Sequence, residues 1–184
     1  ILARLLPVDT FGTYTLAFSI VTLTGIFPSF GLGGALLHRA PETADEPSSA
    51  ATHFTQTLIL TVVWGLALIG GSLLFAEGSL QFALIALTII YAGLHLTDTP
   101  RFMLIRRVEH RRLAAIDIVE TLAASAVAIW LAWRGATIGA LVMTDAIALL
   151  VYVVLLYLWR PIWRPQLLWA QDKINYFLKG PRLN

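Results

Sequence analysis

Cysteine is absent from this chain of 184 residues, and its absence excludes several kinds of chemistry. Without cysteine there is no disulfide, no thiolate metal ligand and no cysteine nucleophile. Charge is also scarce: Asp, Glu, Lys and Arg make up 13% of the residues, whereas about a quarter of a typical soluble domain is charged. Hydrophobic residues make up 58%. A soluble fold of this size would need more polar surface than the chain supplies.

Long apolar runs without Lys or Arg account for the scarcity of charge. A helix that crosses a bilayer needs about 20 mostly apolar residues. Five runs of 20 to 24 residues meet this requirement, and each would be about 30–36 Å long at about 1.5 Å per residue. The runs are residues 11–30, 54–76, 79–99, 113–133 and 136–159. The sequence therefore predicts an all-α, polytopic membrane helical bundle with five spans.

The basic residues lie on one side of these runs. If the chain crosses at each run, segments 31–53, 100–112 and 160–184 share a side, and they hold eleven of the thirteen Lys and Arg residues. Positively charged segments stay cytoplasmic. The turns at 77–78 and 134–135 should then face outward. Because these turns are short, the second span should form an antiparallel hairpin with the third, and the fourth with the fifth.

The three cytoplasmic segments differ in character. In segment 100–112, which includes RFMLIRRVEHRR, we expect a short helix that starts near Pro100 and arginines that anchor the topology and suit anionic headgroups. Its position between two spans argues against binding of nucleic acid. Residues 38–53 should be irregular, whereas 160–184 should form an amphipathic interfacial helix. The anchoring arginines are Arg101, Arg106, Arg107, Arg111 and Arg112.

Four short motifs lie in the first 39 residues: RLL at 4–6, DTFGTY at 9–14, GLGGAL at 31–36 and HR at 38–39. With these motifs, residues 1–39 resemble the first-to-second helix region of polysaccharide and O-antigen flippases, and residues 100–142 resemble the fourth-to-sixth helix region of the same family. These flippases move lipid-linked oligosaccharides, and they belong to the multidrug/oligosaccharidyl-lipid/polysaccharide exporter superfamily.

The resemblance implies that the chain is a partial N-terminal lobe, comprising the second to sixth helices of a larger bundle. Residues 160–184 would then link it to a C-terminal lobe that the chain lacks. Such proteins carry undecaprenyl-diphosphate-linked oligosaccharide across the bacterial inner membrane by alternating access, without enzymatic turnover or a cofactor. Some relatives couple this movement to a proton or sodium gradient. The chain opens on Ile1, so we expect a fragment. By resemblance Arg4 contacts the diphosphate; alternatively it snorkels to the interface.

Acidic residues and a histidine inside the runs are candidate functional groups, since each charge in a span costs about 2.5–3.5 kcal/mol. Asp145 is nine residues into the fifth run. It is either a cavity-facing proton or ion site, or a packing carboxylate bonded to Ser or Thr. Asp117 and Glu120 share a helix face and either pair with boundary arginines or form an inner gate. His95 and Asp98 form either a titrating pair or an interfacial hydrogen bond.

Two other classes of function stay open. An integral-membrane glycosyltransferase acting on a polyprenyl-linked sugar would place acidic residues or histidines in a sizeable surface loop, and segment 31–53 is the longest loop between spans. A non-catalytic membrane scaffold is the third class. The sequence contains no motif for a metal site. Turnover that depends on a metal or sugar nucleotide would favour the enzyme, whereas accumulation of lipid-linked oligosaccharide on the inner leaflet in a deletion strain would favour the flippase.

Overall fold

The computed structural model describes residues 7–29, 32–37, 47–135 and 138–170, and these contain helices but no strand. The described part has eight α-helices, and the last of them runs into a π-helical turn at Val154–Leu158. The helices are α1 (Val8–Thr24), α2 (Ile26–Ser29), α3 (Leu32–Leu37), α4 (Pro47–Phe75), α5 (Gly78–Leu96), α6 (Asp98–Arg106), α7 (His110–Trp133) and α8 (Ile138–Val153).

Five stretches of these helices are long and apolar enough to cross a membrane, so the predicted five-span bundle is confirmed. Two of the spans are the single helices α4 and α7, and a third is α8 together with its π-helical turn. The other two are interrupted: α1 and α2 form the first span, and α5 and α6 form the third.

Proline accounts for both interruptions. Proline has no N–H, so it leaves the carbonyl four residues earlier without its helical donor. The first span breaks at Gly25, next to Thr24, which is four residues before Pro28. The third span breaks at Thr97, next to Leu96, which is four residues before Pro100. A kink near Pro28 is therefore present. The short helix near Pro100 is present too, although it begins two residues earlier than predicted.

The two predicted hairpins form, and α5 lies at the centre of the bundle. α4 packs along α5, α7 packs along α8, and α5 also contacts α1 and α8. Each hairpin turn contains a glycine with a left-handed backbone: Gly78 at a φ of +57° and Gly135 at +76°. A residue with a Cβ would be strained at either position. One cluster of buried side chains joins α1, α4 and α5, and it includes Val21, Trp64 and Leu87.

Close approach between helices replaces hydrophobic burial as the source of cohesion here, because lipid tails are as apolar as leucine. Gly93 of α5 lies directly against α8: a Cβ at this position would meet Leu149 Cδ2 at 2.7 Å. In another cluster of side chains on α5, the small buried residues Ala17 of α1 and Ala83 of α5 belong to the interface between these two helices. These contacts hold both α8 and α1 against α5, which places the polar side chains described below.

Two predictions about the segments between and after the spans are wrong where the structure describes them. Residues 47–53 belong to α4 instead of an irregular loop; Pro47 occupies the first helical position, which suits proline. Residues 160–170 form bends and irregular backbone instead of an amphipathic helix. Pro161 and Pro165 explain the second result, since proline disfavours a helical conformation at the residue before it. Residues 38–46 and 171–184 lie outside the described residues.

Candidate functional site

Asp145, the carboxylate deepest in a predicted span, connects the first and last spans. The hydroxyl of Tyr14 on α1 donates a hydrogen bond of 2.7 Å to Asp145 Oδ2 on α8. Asp145 is half-buried. The packing interpretation of the sequence expected a serine or threonine partner, whereas the structure provides a tyrosine 131 residues away. The bond satisfies one carboxylate oxygen and leaves capacity on the other for a proton or a cation.

Aromatic rings extend from this carboxylate towards the centre of the bundle. The Tyr14 ring stacks on Phe18 with centroids 5.8 Å apart, and Phe18 meets the edge of Tyr91 at 6.0 Å. Tyr91 belongs to α5, so the rings and the Asp145 carboxylate together connect α1, α5 and α8. Packed rings around the bond limit the rotamers of Tyr14 and hold its hydroxyl in place for Asp145.

Asp117 joins three helices at the end of the bundle that carries the arginines of segment 100–112. Its Oδ1 atom on α7 accepts a 2.6 Å hydrogen bond from the hydroxyl of Tyr152 on α8. The same atom lies 3.8 Å from a guanidinium nitrogen of Arg101 on α6, and the guanidinium carbon sits 5.6 Å from the centre of the Tyr152 ring. The structure therefore contains the predicted pairing with a boundary arginine. Tyr152 is an additional partner that sequence reasoning missed.

Glu120 differs from its neighbour on the same helix face. It accepts a hydrogen bond of 3.1 Å from the hydroxyl of Thr121, the next residue. No arginine of the described residues lies within ion-pair distance of Glu120. The predicted arginine partner is thus found for Asp117 but not for Glu120, which remains half-buried on α7.

His95 and Asp98 meet at the break between α5 and α6, as their spacing predicts. His95 Nδ1 lies 3.4 Å from Asp98 Oδ2. The imidazole also meets the edge of the Trp64 indole on α4, with ring centroids 5.5 Å apart. The Trp64 Nε1–H donates in turn to Thr24 Oγ1 at 3.1 Å. The pair therefore lies at the junction of the two interrupted spans with α4.

Three of the five anchoring arginines also hold helix ends together. Arg101 takes part in the Asp117 contact described above. Arg106 donates to the carbonyl of Leu36 at the end of α3. Arg112 donates to the carbonyls of Trp159 and Arg160 that follow the π-helical turn, and it lies 3.6 Å from a carboxylate oxygen of Glu109. Arg107 and Arg111 are exposed, and Arg4 lies outside the described residues.

Sequence reasoning missed a buried polar face on α4. Seven of its polar side chains are almost inaccessible. His53 shares a hydrogen bond of 2.9 Å with Thr99 of α6. The helical spacing of these residues was a usable signal, but the polar and proline-containing segment 38–53 was interpreted as a loop. The seven side chains are Ser49, Thr52, His53, Gln56, Thr57, Thr61 and Ser72.

The part of the chain that the structure describes contains no ready metal site. No three His, Asp or Glu side chains are grouped closely enough there to hold a metal ion. The polar groups instead occur as three pairs or triads between helices, formed around Asp145, Asp117 and His95. Such an arrangement can hold a proton or a monovalent ion, and it can also lock helices together.

Comparison with known proteins gives one result. A family model described as polysaccharide biosynthesis protein matches residues 1–179, almost the entire chain. No curated protein and no solved structure matches the chain. The match agrees with the five apolar spans and with the resemblance seen in the sequence motifs. This multi-pass membrane protein belongs to the polysaccharide biosynthesis protein family.

Proposed function

We propose that this protein takes part in moving an undecaprenyl-diphosphate-linked oligosaccharide from the inner to the outer leaflet of the bacterial inner membrane, by alternating access. The family match supports a role in polysaccharide synthesis. The five spans fit a lipid-borne substrate, because the hydrocarbon part of such a molecule stays within the bilayer during transfer. The proposed partners are the bilayer, the lipid-linked substrate and the remaining helices of a longer protein.

The observation that carries the proposal is the Asp145–Tyr14 hydrogen bond between α8 and α1. A carboxylate at this depth is costly unless it has a role. A bond between α8 and α1, which both pack against α5, can break and form as those helices move relative to α5. We propose that Asp145 is the site that couples this movement to a proton or sodium gradient.

The Asp117 contact is the proposed inner gate. It joins α6, α7 and α8 near the cytoplasmic arginines through one strong hydrogen bond and one longer ion pair. The Arg101 and Asp117 side chains are about 40% exposed, so the ion pair contributes little stability. An ion pair that is weak and partly hydrated suits a gate that must open during each cycle, and the single strong hydrogen bond can keep the closed state in place.

A complementation experiment tests the proposal. The gene is deleted, and the strain is complemented with the wild-type gene, with Asp145→Asn, or with the control Met143→Leu, which alters an exposed apolar residue two positions away. We expect the deletion and Asp145→Asn to abolish surface polysaccharide and to leave lipid-linked oligosaccharide of full length on the inner leaflet. Met143→Leu should behave as wild type, and immunoblots should show equal amounts of all variants.

The same strains separate the flippase from the other classes. If the protein were a glycosyltransferase, the deletion strain would contain a shortened lipid-linked oligosaccharide instead of a complete one. If it were a scaffold, Asp145→Asn would restore surface polysaccharide as well as the wild type does. Either result would contradict the proposal.

A further inference from the structure

The turn between α6 and α7 borders a cavity of about 490 Å³. Two backbone hydrogen bonds of 3.0 Å close this turn, from the N–H of Val108 to the Ile105 carbonyl and from the N–H of Glu109 to the Leu104 carbonyl. The turn therefore presents two arginines, a histidine and a single carboxylate to the same space. The five lining residues are Val108, Glu109, His110, Arg111 and Arg112.

Arg112 is held in place by three partners. One of its guanidinium nitrogens lies 3.6 Å from a carboxylate oxygen of Glu109. The other donates to the carbonyl of Trp159 at 3.3 Å and to the carbonyl of Arg160. These bonds engage the one acidic side chain that lines the cavity. They also bring the chain that follows α8 up to the cavity, because Arg112 belongs to both.

Arg111 differs from its neighbour. Its side chain is exposed, and it has no hydrogen-bond or ion-pair partner among the described residues. Because Glu109 already faces Arg112, the charge of Arg111 is left without compensation. A guanidinium group offers a planar fork of donors that matches phosphate oxygens. The lining therefore suits an anion of the phosphate type.

Exposed apolar side chains flank this basic cavity. Val108 lines it at a left-handed φ of +59° and is 72% exposed. Trp159, whose carbonyl accepts from Arg112, is 56% exposed, and Leu158 before it is 72% exposed. Tryptophan is enriched at the level of the lipid headgroups. A free phosphate ion would leave these side chains uncovered, whereas a lipid with a phosphate headgroup has hydrocarbon chains to cover them.

We propose that this cavity binds the headgroup of an anionic phospholipid. Arg111 and Arg112 bind its phosphate, and Val108 and Trp159 contact the adjoining part of its chains. Basic pockets at the cytoplasmic ends of spans bind anionic headgroups in this way. The sequence indicated only a general attraction of the arginines of segment 100–112 for such headgroups, whereas the structure selects two of them. The inference depends on insertion in a membrane and not on the proposed transport.

Native mass spectrometry of the purified protein in detergent tests the inference, since it counts the lipids that each molecule binds. The protein is titrated with phosphatidylglycerol, with phosphatidylcholine of the same chains, and with inorganic diphosphate. We expect phosphatidylglycerol to bind most tightly. Arg111→Gln should weaken its binding about fivefold, because each arginine near an anionic headgroup contributes about 1 kcal/mol. The matched control Arg164→Gln should leave the affinity unchanged, since Arg164 is exposed at the same end but does not line the cavity.

Three results would overturn the inference. Equal binding of phosphatidylcholine and phosphatidylglycerol would show that the arginines do not select an anionic headgroup. Equal losses in Arg111→Gln and Arg164→Gln would indicate a diffuse attraction instead of a site. Binding of inorganic diphosphate as tight as that of the lipid, and equally weakened by Arg111→Gln, would assign the cavity to a soluble phosphate. The comparison of ligands on the wild-type protein decides the question even if a variant does not fold.

Discussion

The bond between Tyr14 and Asp145 makes the most informative prediction. Tyr14→Phe removes only the hydroxyl and leaves the stack on Phe18 in place. The 2.7 Å distance is typical of a well-formed O–H···O bond. Interhelical hydrogen bonds in membrane proteins contribute about 0.6 kcal/mol on average and up to about 1.7, and a charged acceptor strengthens such a bond. For this half-buried pair we expect a coupling energy of about 1–2 kcal/mol.

A double-mutant cycle measures this energy. The wild-type protein, Tyr14→Phe, Asp145→Asn and the double variant are unfolded reversibly with SDS in mixed micelles, and the free energies of unfolding are compared. Tyr91→Phe is the matched control: Tyr91 packs on Phe18 in the same aromatic row. Its loss should be below about 0.5 kcal/mol, which is the usual range away from a bonded site. A coupling energy below about 0.3 kcal/mol for Tyr14 and Asp145 would show that the bond does not join the helices in a bilayer-like environment.

Two further pairs of variants test the packing and the proposed gate. Gly33→Ala places a Cβ inside the ring of Phe102, whereas the Cβ of Gly34→Ala meets nothing within 4 Å. Gly33→Ala should therefore lower the melting temperature in detergent by several degrees. Gly34→Ala should leave the melting temperature unchanged or raise it, since alanine favours a helix by about 1 kcal/mol over glycine. An equal loss in both would refute the close α3–α6 contact. Tyr152→Phe should destabilise the protein more than Arg101→Ala, because the tyrosine bond is short and the ion pair is exposed; the reverse order in SDS unfolding would contradict the proposed structure of the gate.

The five spans could be predicted from the sequence because length and apolar composition are local properties. The break at Gly25 was foreseeable for the same reason, since Pro28 acts on its own helix. The loop assigned to 38–53 was wrong at residues 47–53 because polar side chains were taken as a sign of exposure. In the structure Ser49, Thr52 and His53 are buried, and His53 shares a hydrogen bond with Thr99 of α6, because packing between helices decides their environment.

Whether the partner of a candidate site residue could be predicted depended on how far apart the two residues lie along the chain. His95 with Asp98 followed from a spacing of three residues. Tyr14 with Asp145 did not, because 131 residues separate them and only the packing of α1 and α8 against α5 brings them together. The π-helical turn at Val154–Leu158 was equally hidden: it reflects tertiary contacts such as the Tyr157 hydroxyl, which donates to the Leu96 carbonyl that Pro100 leaves without a helical donor.

The central claim is that the helices cross a membrane with the arginine-rich segments inside the cell. Single-cysteine labelling tests this claim most directly. The chain has no cysteine of its own, so Val108→Cys and Glu77→Cys each introduce one reactive thiol at an exposed position. A maleimide that cannot cross the inner membrane should label Glu77→Cys in intact spheroplasts, and it should label Val108→Cys only after the membrane is permeabilised. Labelling of Val108→Cys in intact spheroplasts, or recovery of the protein in the soluble fraction without detergent, would contradict the account.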